Sequence, residues 1–370
     1  MEDNKMSTSE FRNRVFRRYK NMGVPVEGVF EITGRCTFNC KMCYVHTMPN
    51  AEFLKKEKSG DWWISQIDEA CKHGMLFALL TGGECMLHPD FKTIYTHLRS
   101  RGVYTSINTN GFLLTDEMIS FLKENPPFEI QMTLYGTDDE SYEAVTGVRA
   151  FRAAEAAIER LQKAGLNFKI AVTPNPYASG ETERIVTYLR ERKLPFGVNQ
   201  GLFTPYSDEI PQTLSEQEVA VDEKIRILQA VKGQPVEPIS EHDLPPAGGG
   251  KTGLIHGAKC SGGCVTFFMN WEGHMQMCGT FYHCRIPVHT AEDFLPAWQK
   301  VQEINRNYLA PVECEGCAYK NACFSCPVLR SGKVGNGHCD PAVCELTRKL
   351  VASGVKKLKQ KPQSCEGDTD

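Results

Sequence analysis

Apolar positions between residues 28 and 232 follow two alternating rhythms. Six short runs, residues 28–33, 76–80, 103–109, 128–134, 168–173 and 196–200, read as strands. Several are almost continuously apolar or β-branched, as strands buried on both faces of a parallel sheet are. The segments between them keep helical spacing. Trp63, Ile67, Ala70 and Cys71 share one face after a cap at Asp61, and Gly74 ends the helix. Phe91, Ile94 and Leu98 recur before Gly102, and Thr115 caps a helix with Asp116 and Glu117 in its first turn. Phe151, Ala154, Ile158 and Leu161 hold the period up to Gly165. Ser215 and Glu218 make a capping box before Val221, Ile225 and Leu228. Six strand–helix units in a row predict an α/β fold with right-handed crossovers. The expected shape is a partial (β/α)6 TIM-like barrel, two units short of a full one.

The rhythm stops at residues 233–259, where Gly233, Pro235, Pro238, Pro245, Pro246 and Gly248-Gly249-Gly250 predict a linker. Residues 1–27, polar and mixed in charge, are expected to form an N-terminal helical arm, and residues 28–232 the barrel. Residues 260–348 change composition sharply and are expected to form a C-terminal cysteine-rich, loop-rich domain. Residues 349–370 read as a tail that starts helical and frays.

Polar and glycine-rich residues follow the strands. The sequence Thr81-Gly82-Gly83-Glu84 follows the second, Asn108-Thr109-Asn110-Gly111 the third, Tyr135-Gly136 the fourth, Pro174-Asn175-Pro176 the fifth and Thr204-Pro205-Tyr206 the sixth. In a β/α barrel these strand ends form the face that carries chemistry. Paired glycines such as Gly82-Gly83 let backbone approach a ligand closely, and the Glu84 carboxylate can accept from an ammonium. Asn110-Gly111 also reads as a plain turn, and Leu202 and Phe203 as core or as a wall for a ring.

A net charge of −3 does not favour nucleic acid or an anionic membrane as the main partner. No apolar run is long enough to span a bilayer, and no secretory h-region is present, so a cytoplasmic location is expected. Sixteen cysteines then need an explanation. Disulfides require an oxidising compartment, and zinc suits the late C-x2-C pairs better than it suits the first group. That group is Cys36, Cys40 and Cys43, followed by Tyr44. Three thiolates within eight residues can hold three corners of one cluster and leave one metal open.

This C-x3-C-x2-C loop resembles that of radical S-adenosylmethionine (SAM) enzymes. The resemblance implies a [4Fe–4S] cluster on Cys36, Cys40 and Cys43, with SAM chelating the fourth iron. Reductive cleavage of SAM to a 5′-deoxyadenosyl radical would follow, and that radical abstracts hydrogen from a substrate carbon. The family carries an aromatic before the third cysteine, where this chain has Met42, with Tyr44 just after. Gly82, Gly83 and Glu84 resemble the family's GGE motif, which binds the methionine amino group. Cys85 stands where the family usually has proline, either as a neutral replacement or as a further thiol. Asn108 and Thr133 match positions of polar contacts to SAM.

Cys260-x3-Cys264, Gly273-x4-Cys278, Cys314-x2-Cys317-x5-Cys323-x2-Cys326 and Cys344 resemble the SPASM domain, which usually holds two auxiliary [4Fe–4S] clusters. By that resemblance Cys260, Cys264, Cys278 and Cys326 would hold the first. Cys314, Cys317, Cys323 and Cys344 would hold the second, with Cys284 and Cys339 as spares. The family spaces its last pair C-x3-C, against C-x2-C here. Relatives of this kind mostly modify peptides or proteins, so the expected function is oxidative modification of a peptide, a crosslink or similar. A flavodoxin or ferredoxin would donate electrons. Only 27 residues precede the first strand, so leader recognition is expected to be absent, minimal or supplied by a separate protein. The alternatives are a small-molecule or tetrapyrrole substrate, or a non-enzymatic metal-binding module.

Overall fold

The structure, a computed structural model, describes residues 6–43, 45, 51–178, 180–199, 219–233, 236–246, 253–257, 260–281, 284–314, 316–323, 326 and 341–358. Eleven strands are described: β1 (Glu27–Thr33), β2 (Phe77–Gly82), β3 (Tyr104–Thr109), β4 (Glu129–Leu134), β5 (Phe168–Val172), β6 (Phe196–Val198), β7 (Leu254–His256), β8 (Thr266–Met269), β9 (His274–Gln276), β10 (Ile286–Pro287) and β11 (Leu309–Pro311). The first eight helices are α1 (Thr8–Tyr19), α2 (Ala51–Lys56), α3 (Gly60–Lys72), α4 (Phe91–Ser100), α5 (Asp116–Glu124), α6 (Asp139–Thr146), α7 (Phe151–Ala164) and α8 (Glu181–Glu191). No helix among the described residues is long and apolar enough to cross a membrane.

The chain divides into two compact units, residues 1–219 with 259–307, and residues 220–258 with 308–370. The first holds a nine-stranded sheet in the order β10-β9-β8-β1-β2-β3-β4-β5-β6. Strands β1 to β6 are parallel neighbours in chain order, as the six-unit pattern predicts. Phe30 and Ile32 are fully buried. Phe30 meets Trp63 of α3 edge-on at 6.0 Å, so the even positions of β1 face the helices. Glu31 therefore faces the other way, in register with Thr81. Ser106 and Asn108 on β3, and Gln131 and Thr133 on β4, share that inner face, which is polar for a barrel.

The strand ends differ slightly from the sequence reading. Ser59, not Asp61, caps α3, accepting from the Trp62 N–H at 3.3 Å. Gly60 opens that helix because a Cβ there would stand 2.5 Å from Asp90 Cβ. The predicted cap at Thr115 is present, accepting from Met118 N–H at 3.3 Å. Ser215, Glu218, Leu202, Phe203 and residues 204–206 lie outside the described residues.

Helix α1 closes the base of the sheet. Phe11 packs edge-on against Phe77 at 5.8 Å and Tyr104 at 5.4 Å, the first residues of β2 and β3. Arg12 pairs with the buried Glu27 at 3.1 Å.

The cysteine-rich composition after residue 260 hides a strand of the main sheet. Strand β8 pairs with β1 in parallel, Glu27 with Thr266 through Phe30 with Met269. Its four residues are all buried. Phe267 is wedged among Phe30, Phe294 and Trp298, at 5.6, 5.3 and 6.2 Å. Residues 260–307 thus belong to the barrel's unit by contact, although composition groups them with the cysteines that follow.

The second unit has its own two-stranded antiparallel sheet of β7 and β11 and the helices Val221–Lys232 and Pro341–Ala352. Segments read from sequence as linker and fraying tail supply its core. Val351, Tyr319 and Ala322 are buried, with Leu244 and Leu358 against them. The Ile239 N–H donates to the Ala352 carbonyl at 2.6 Å. Beyond the helix, Lys356 Nζ donates to the Ala322 carbonyl at 2.8 Å. Residues 349–358 are therefore held in place by burial.

Candidate active site

The three early cysteines follow β1, at the sheet end where β2, β3 and β4 also terminate. Cys40 is buried, and Cys36 and Cys43 are half-buried. The loop is anchored to α6 through Asn39 N–H to the Thr146 carbonyl at 2.9 Å and Lys41 N–H to the Val145 carbonyl at 3.0 Å. Its entry is held by a salt bridge absent from the sequence reading. Arg35 donates from Nε and Nη2 to Glu57 at 2.9 and 2.7 Å, and Thr33 Oγ1 donates to the same carboxylate.

Gly82 and Gly83 have a different local role from the one expected of paired glycines. They make room for the cysteine loop's own backbone. A Cβ on Gly82 would fall 2.3 Å from the Thr33 carbonyl oxygen, and one on Gly83 2.4 Å from that of Arg35. Gly82 also sits at φ +147°, which a side chain rarely adopts. The seam is closed by Gly83 N–H to the Thr33 carbonyl at 2.9 Å and Glu84 N–H to the Arg35 carbonyl at 2.7 Å.

Glu84 is fully buried. Its Oε2 accepts from Thr109 Oγ1 at 2.7 Å and the Asn110 N–H at 2.9 Å, and its Oε1 from the Met86 N–H at 3.3 Å. All these donors are neutral. Burial therefore raises the carboxyl above its usual range, and the hydrogen bonds only partly oppose this. A cation beside Glu84 would remove the mismatch. Cys85, also fully buried, donates to the Asn108 carbonyl at 3.4 Å and lies 3.9 Å from Glu84.

Asn110 makes the turn the sequence suggests and also reaches the cysteine loop. Its Oδ1 accepts from the Phe112 N–H at 2.9 Å, which makes the turn. Its Nδ2 donates to Thr37 Oγ1 at 3.0 Å and reaches Cys36 Sγ at 3.7 Å. The Phe38 N–H also donates to Cys36 Sγ, at 3.4 Å. Tyr135, half-buried after β4, places its hydroxyl where it lowers the Cys40 thiol against the effect of burial. Phe38 meets Phe112, Tyr135 and Tyr142 edge-on at 5.8, 6.0 and 6.3 Å, a ring of aromatics behind the loop. Arg35 and Glu57 carry no spacing signal, and Thr109 and Tyr135 are marked in the sequence only by their strand-end positions. Asn108 and Thr133 are half-buried on the inner face of the sheet, and Tyr44 lies outside the described residues.

Burial pushes the Cys36 thiol up to about 11, with the Glu84 carboxylate and Cys43 adding to the shift and the Phe38 N–H and Asn110 amide opposing it. Burial raises Cys40 further, reinforced by Cys43 and Cys36. The three sulfurs are thus close enough to repel one another as thiolates. Among the described residues no three side chains converge as a ready site for one bare ion. Thiolates here need positive charge beside them, and cluster iron supplies it. The donor set fits an iron–sulfur cluster with one iron left to another ligand.

The later cysteines divide between the units. Cys260, Cys264, Cys278 and Cys284 lie in the first, and Cys314, Cys317, Cys323, Cys326 and Cys344 in the second. All are half-buried. Cys339 lies outside the described residues. In the first unit the Ser261 carbonyl accepts from the N–H groups of Cys264, Val265 and Thr266 at 2.9, 3.0 and 3.0 Å. This tight turn is seated by glycines: a Cβ on Gly262 would stand 2.5 Å from the Met277 carbonyl oxygen. The loop of Cys260 and Cys264 therefore lies against the residue before Cys278. Cys264 Sγ donates to Asn305 Oδ1 at 3.7 Å, and Cys278 Sγ lies 3.3 Å from Thr280 Oγ1. Cys344 is on the helix Pro341–Ala352.

Residues 30–194 match the family model of the radical SAM superfamily. The chain is similar to the Fe-coproporphyrin III synthase of Methanosarcina barkeri, 29% identical over 45% of this chain and 41% of that protein. It is similar to the PqqA peptide cyclase of Streptomyces rochei, 26% identical over 45% of each. The matched part spans less than half the length of these relatives. SuiB of Streptococcus suis, solved bound to S-adenosylmethionine, superposes with a TM-score of 0.65 at 16% identity over 92% of this chain and 84% of SuiB, a likeness of fold.

Proposed function

Because residues 30–194 match the family model of the radical SAM superfamily, we propose that this chain reductively cleaves S-adenosylmethionine at a [4Fe–4S] cluster and oxidatively modifies a peptide. The observation that carries the reading is the cysteine loop beside a fully buried carboxylate, Glu84, which has only neutral donors. When bound at Cys36, Cys40 and Cys43, the cluster with SAM supplies one-electron reduction of the sulfonium and a carbon radical that abstracts hydrogen from substrate.

The chain's own residues have separable tasks. Glu84 takes the methionine ammonium, and its fixed donors hold the carboxylate in place before the ligand arrives. Gly82 and Gly83 hold the loop at close range, and the Arg35–Glu57 pair fixes its entry. The Phe38 N–H, the Asn110 amide and the Tyr135 hydroxyl stabilise negative charge on sulfur. Phe38, Phe112, Tyr135 and Tyr142 keep water from the loop's inner side. Asn108 and Thr133 offer polar contacts to SAM from the inner face of the sheet, and Tyr44 contributes from the loop.

Cys260, Cys264, Cys278 and Cys326 hold one auxiliary [4Fe–4S] cluster. Cys314, Cys317, Cys323 and Cys344 hold a second, bringing the total to three. Held there, such clusters would supply an acceptor for the electron of an oxidised product or a ligand position for a substrate thiol. A flavodoxin or ferredoxin supplies the reducing electron, and a separate protein can present the peptide. The peptide reading is supported by the likeness to a peptide cyclase. A tetrapyrrole is the second reading, because the likeness to a coproporphyrin-forming enzyme is of similar extent.

The test is anaerobic reconstitution followed by dithionite and SAM. The wild-type chain is expected to carry about twelve irons and to form 5′-deoxyadenosine. The Cys36→Ala/Cys40→Ala/Cys43→Ala variant should lose about four irons and all SAM cleavage. If that variant still forms 5′-deoxyadenosine, the assignment of the loop is wrong.

A further inference from the structure

Strand β8 runs parallel to β1, so the turn after it, residues 270–273, lies at the same end of the sheet as the cysteine loop. This turn meets the segment that leads into α3. The Lys58 N–H donates to the Trp271 carbonyl at 3.3 Å. Gly273 leaves space for the lysine stem, since a Cβ there would stand 2.3 Å from Lys58 Cε. Positive groups gather around this contact. Lys56 Nζ lies 3.6 Å from Glu272 Oε1, and Arg285 Nη1 lies 3.5 Å from Glu272 Oε2. Lys58 and His289 stand close enough to act on the His274 imidazole.

Glu272 is the carboxylate within this group, and it is shared between two cations. The nearby Glu57 is engaged with Arg35 and Thr33. Lys58 is half-buried and lies over the Trp62 ring at 5.4 Å, with no ion pair among the described residues. His274 Nδ1 is buried with no hydrogen-bond partner among them. Burial holds that imidazole below its usual pKa, Glu272 opposes this, and Arg285, Lys58 and His289 add to it. In the contacts described, Lys56, Lys58 and Arg285 gather about one carboxylate, Glu272, and Lys58 and Arg285 are half-buried, where attraction to an anion is stronger than on an open face. Glu57, bonded to the entry of the cysteine loop, sits between Lys56 and Lys58 in sequence, so these residues border the site.

We propose that Lys58, Arg285 and His274 form a carboxylate-binding site at the rim of the barrel mouth, which anchors an acidic part of the substrate beside the cysteine loop. Arg285 presents a planar fork, Lys58 a point charge and His274 a single donor, a set that suits one carboxylate. The proposal deepens the peptide reading and rests on it for the identity of the ligand. An acidic side chain of a peptide and a propionate of a porphyrinoid share the chemistry.

The test measures binding to the reconstituted protein by fluorescence anisotropy or quenching. The probes are fluorescein-labelled hexaglutamate, equally labelled hexaglutamine and coproporphyrin III. Hexaglutamate should bind about tenfold tighter than hexaglutamine, and the gap should narrow at high salt. Lys58→Gln and Arg285→Gln should each weaken hexaglutamate binding by about fivefold to tenfold. Lys58→Arg should retain it, and uncoupled SAM cleavage should stay unchanged in all three. Among the described residues Lys58 has no ion pair to lose, so its variants keep the test valid should Arg285→Gln misfold. Full affinity in folded Lys58→Gln, or equal binding of the two peptides with coproporphyrin III binding absent or insensitive to the variants, overturns the site. Variant-sensitive binding of coproporphyrin III alone supports the site and assigns it to propionates. Failure of wild-type SAM cleavage would instead overturn the proposed function and leave the binding result standing.

Discussion

Replacing Gly83 with alanine tests whether the glycine pair exists to seat the cysteine loop. The added Cβ would stand 2.4 Å from the Arg35 carbonyl oxygen, 2.8 Å from that of Gly34 and 2.9 Å from the Arg35 carbonyl carbon. Ordinary Cβ contacts begin at 3.4 Å, so strand end and loop must part by about 1 Å. All three obstacles are backbone, and no rotamer change relieves them. Such a retreat stretches the 2.7 Å bond from Glu84 N–H to the Arg35 carbonyl beyond hydrogen-bonding range and weakens the 2.9 Å bond from Gly83. Two lost bonds cost about 2 kcal/mol and overpacking adds about 1–3 kcal/mol. The expected loss is therefore about 3–5 kcal/mol. It falls on the loop that bears the cysteines. Calorimetry should show a lower Tm, by several degrees. Iron analysis should show about four irons fewer, and the SAM-sensitive signal in electron paramagnetic resonance should weaken. The cysteines of the second unit should stay loaded. Full iron with a Tm within about 1 °C of wild type would refute the seam as the reason for glycine.

Glu84→Gln keeps the side chain's shape but removes the charge, so SAM affinity should fall by about tenfold to a hundredfold in equilibrium dialysis; unchanged affinity would show that another group holds the ammonium. Burial raises the Glu27 carboxyl, and Arg12 opposes this only in part. Its folded-state pKa lies above the unfolded one, so its contribution to stability is full below the ordinary carboxylate range and is lost as pH rises through the folded value. Glu27→Gln should remove that slope and leave the variant relatively more stable at neutral pH. Parallel urea midpoints for the two proteins from pH 4 to 8 would count against it.

The six parallel strands were legible because short runs with apolar or β-branched residues alternate with segments of helical period. The cysteine loop and Glu84 were legible because their chemistry depends on spacing within a few residues. Strand β8 was not, although Val265-Thr266-Phe267-Phe268-Met269 is as apolar as any run before it. Its neighbours Cys260, Cys264 and Cys278 drew the segment towards the cysteine-rich domain. The Arg35–Glu57 pair was invisible for another reason. Its partners are separated by a helix and a loop, and no periodicity links positions so placed. The role of Gly82 and Gly83 was half legible: glycine signalled a close approach, but only the fold shows that another part of the chain is what approaches. Packing of residues 236–246 and 349–358 was hidden because prolines and lysines mark a segment as exposed only when nothing covers it.

The parallel pairing of β8 with β1 has a consequence for synthesis. The strand that delivers the cysteine loop has β2 on one side, made about fifty residues later, and β8 on the other, made more than two hundred residues later. A nascent chain stalled after β2 but before residue 266 presents β1 with one unsatisfied edge and Phe30 without Phe267 against it. Loading of iron on the ribosome would then act on a loop whose supporting strand is still an edge. The three thiols and that edge stay without their supporting strand until residue 269 has been made.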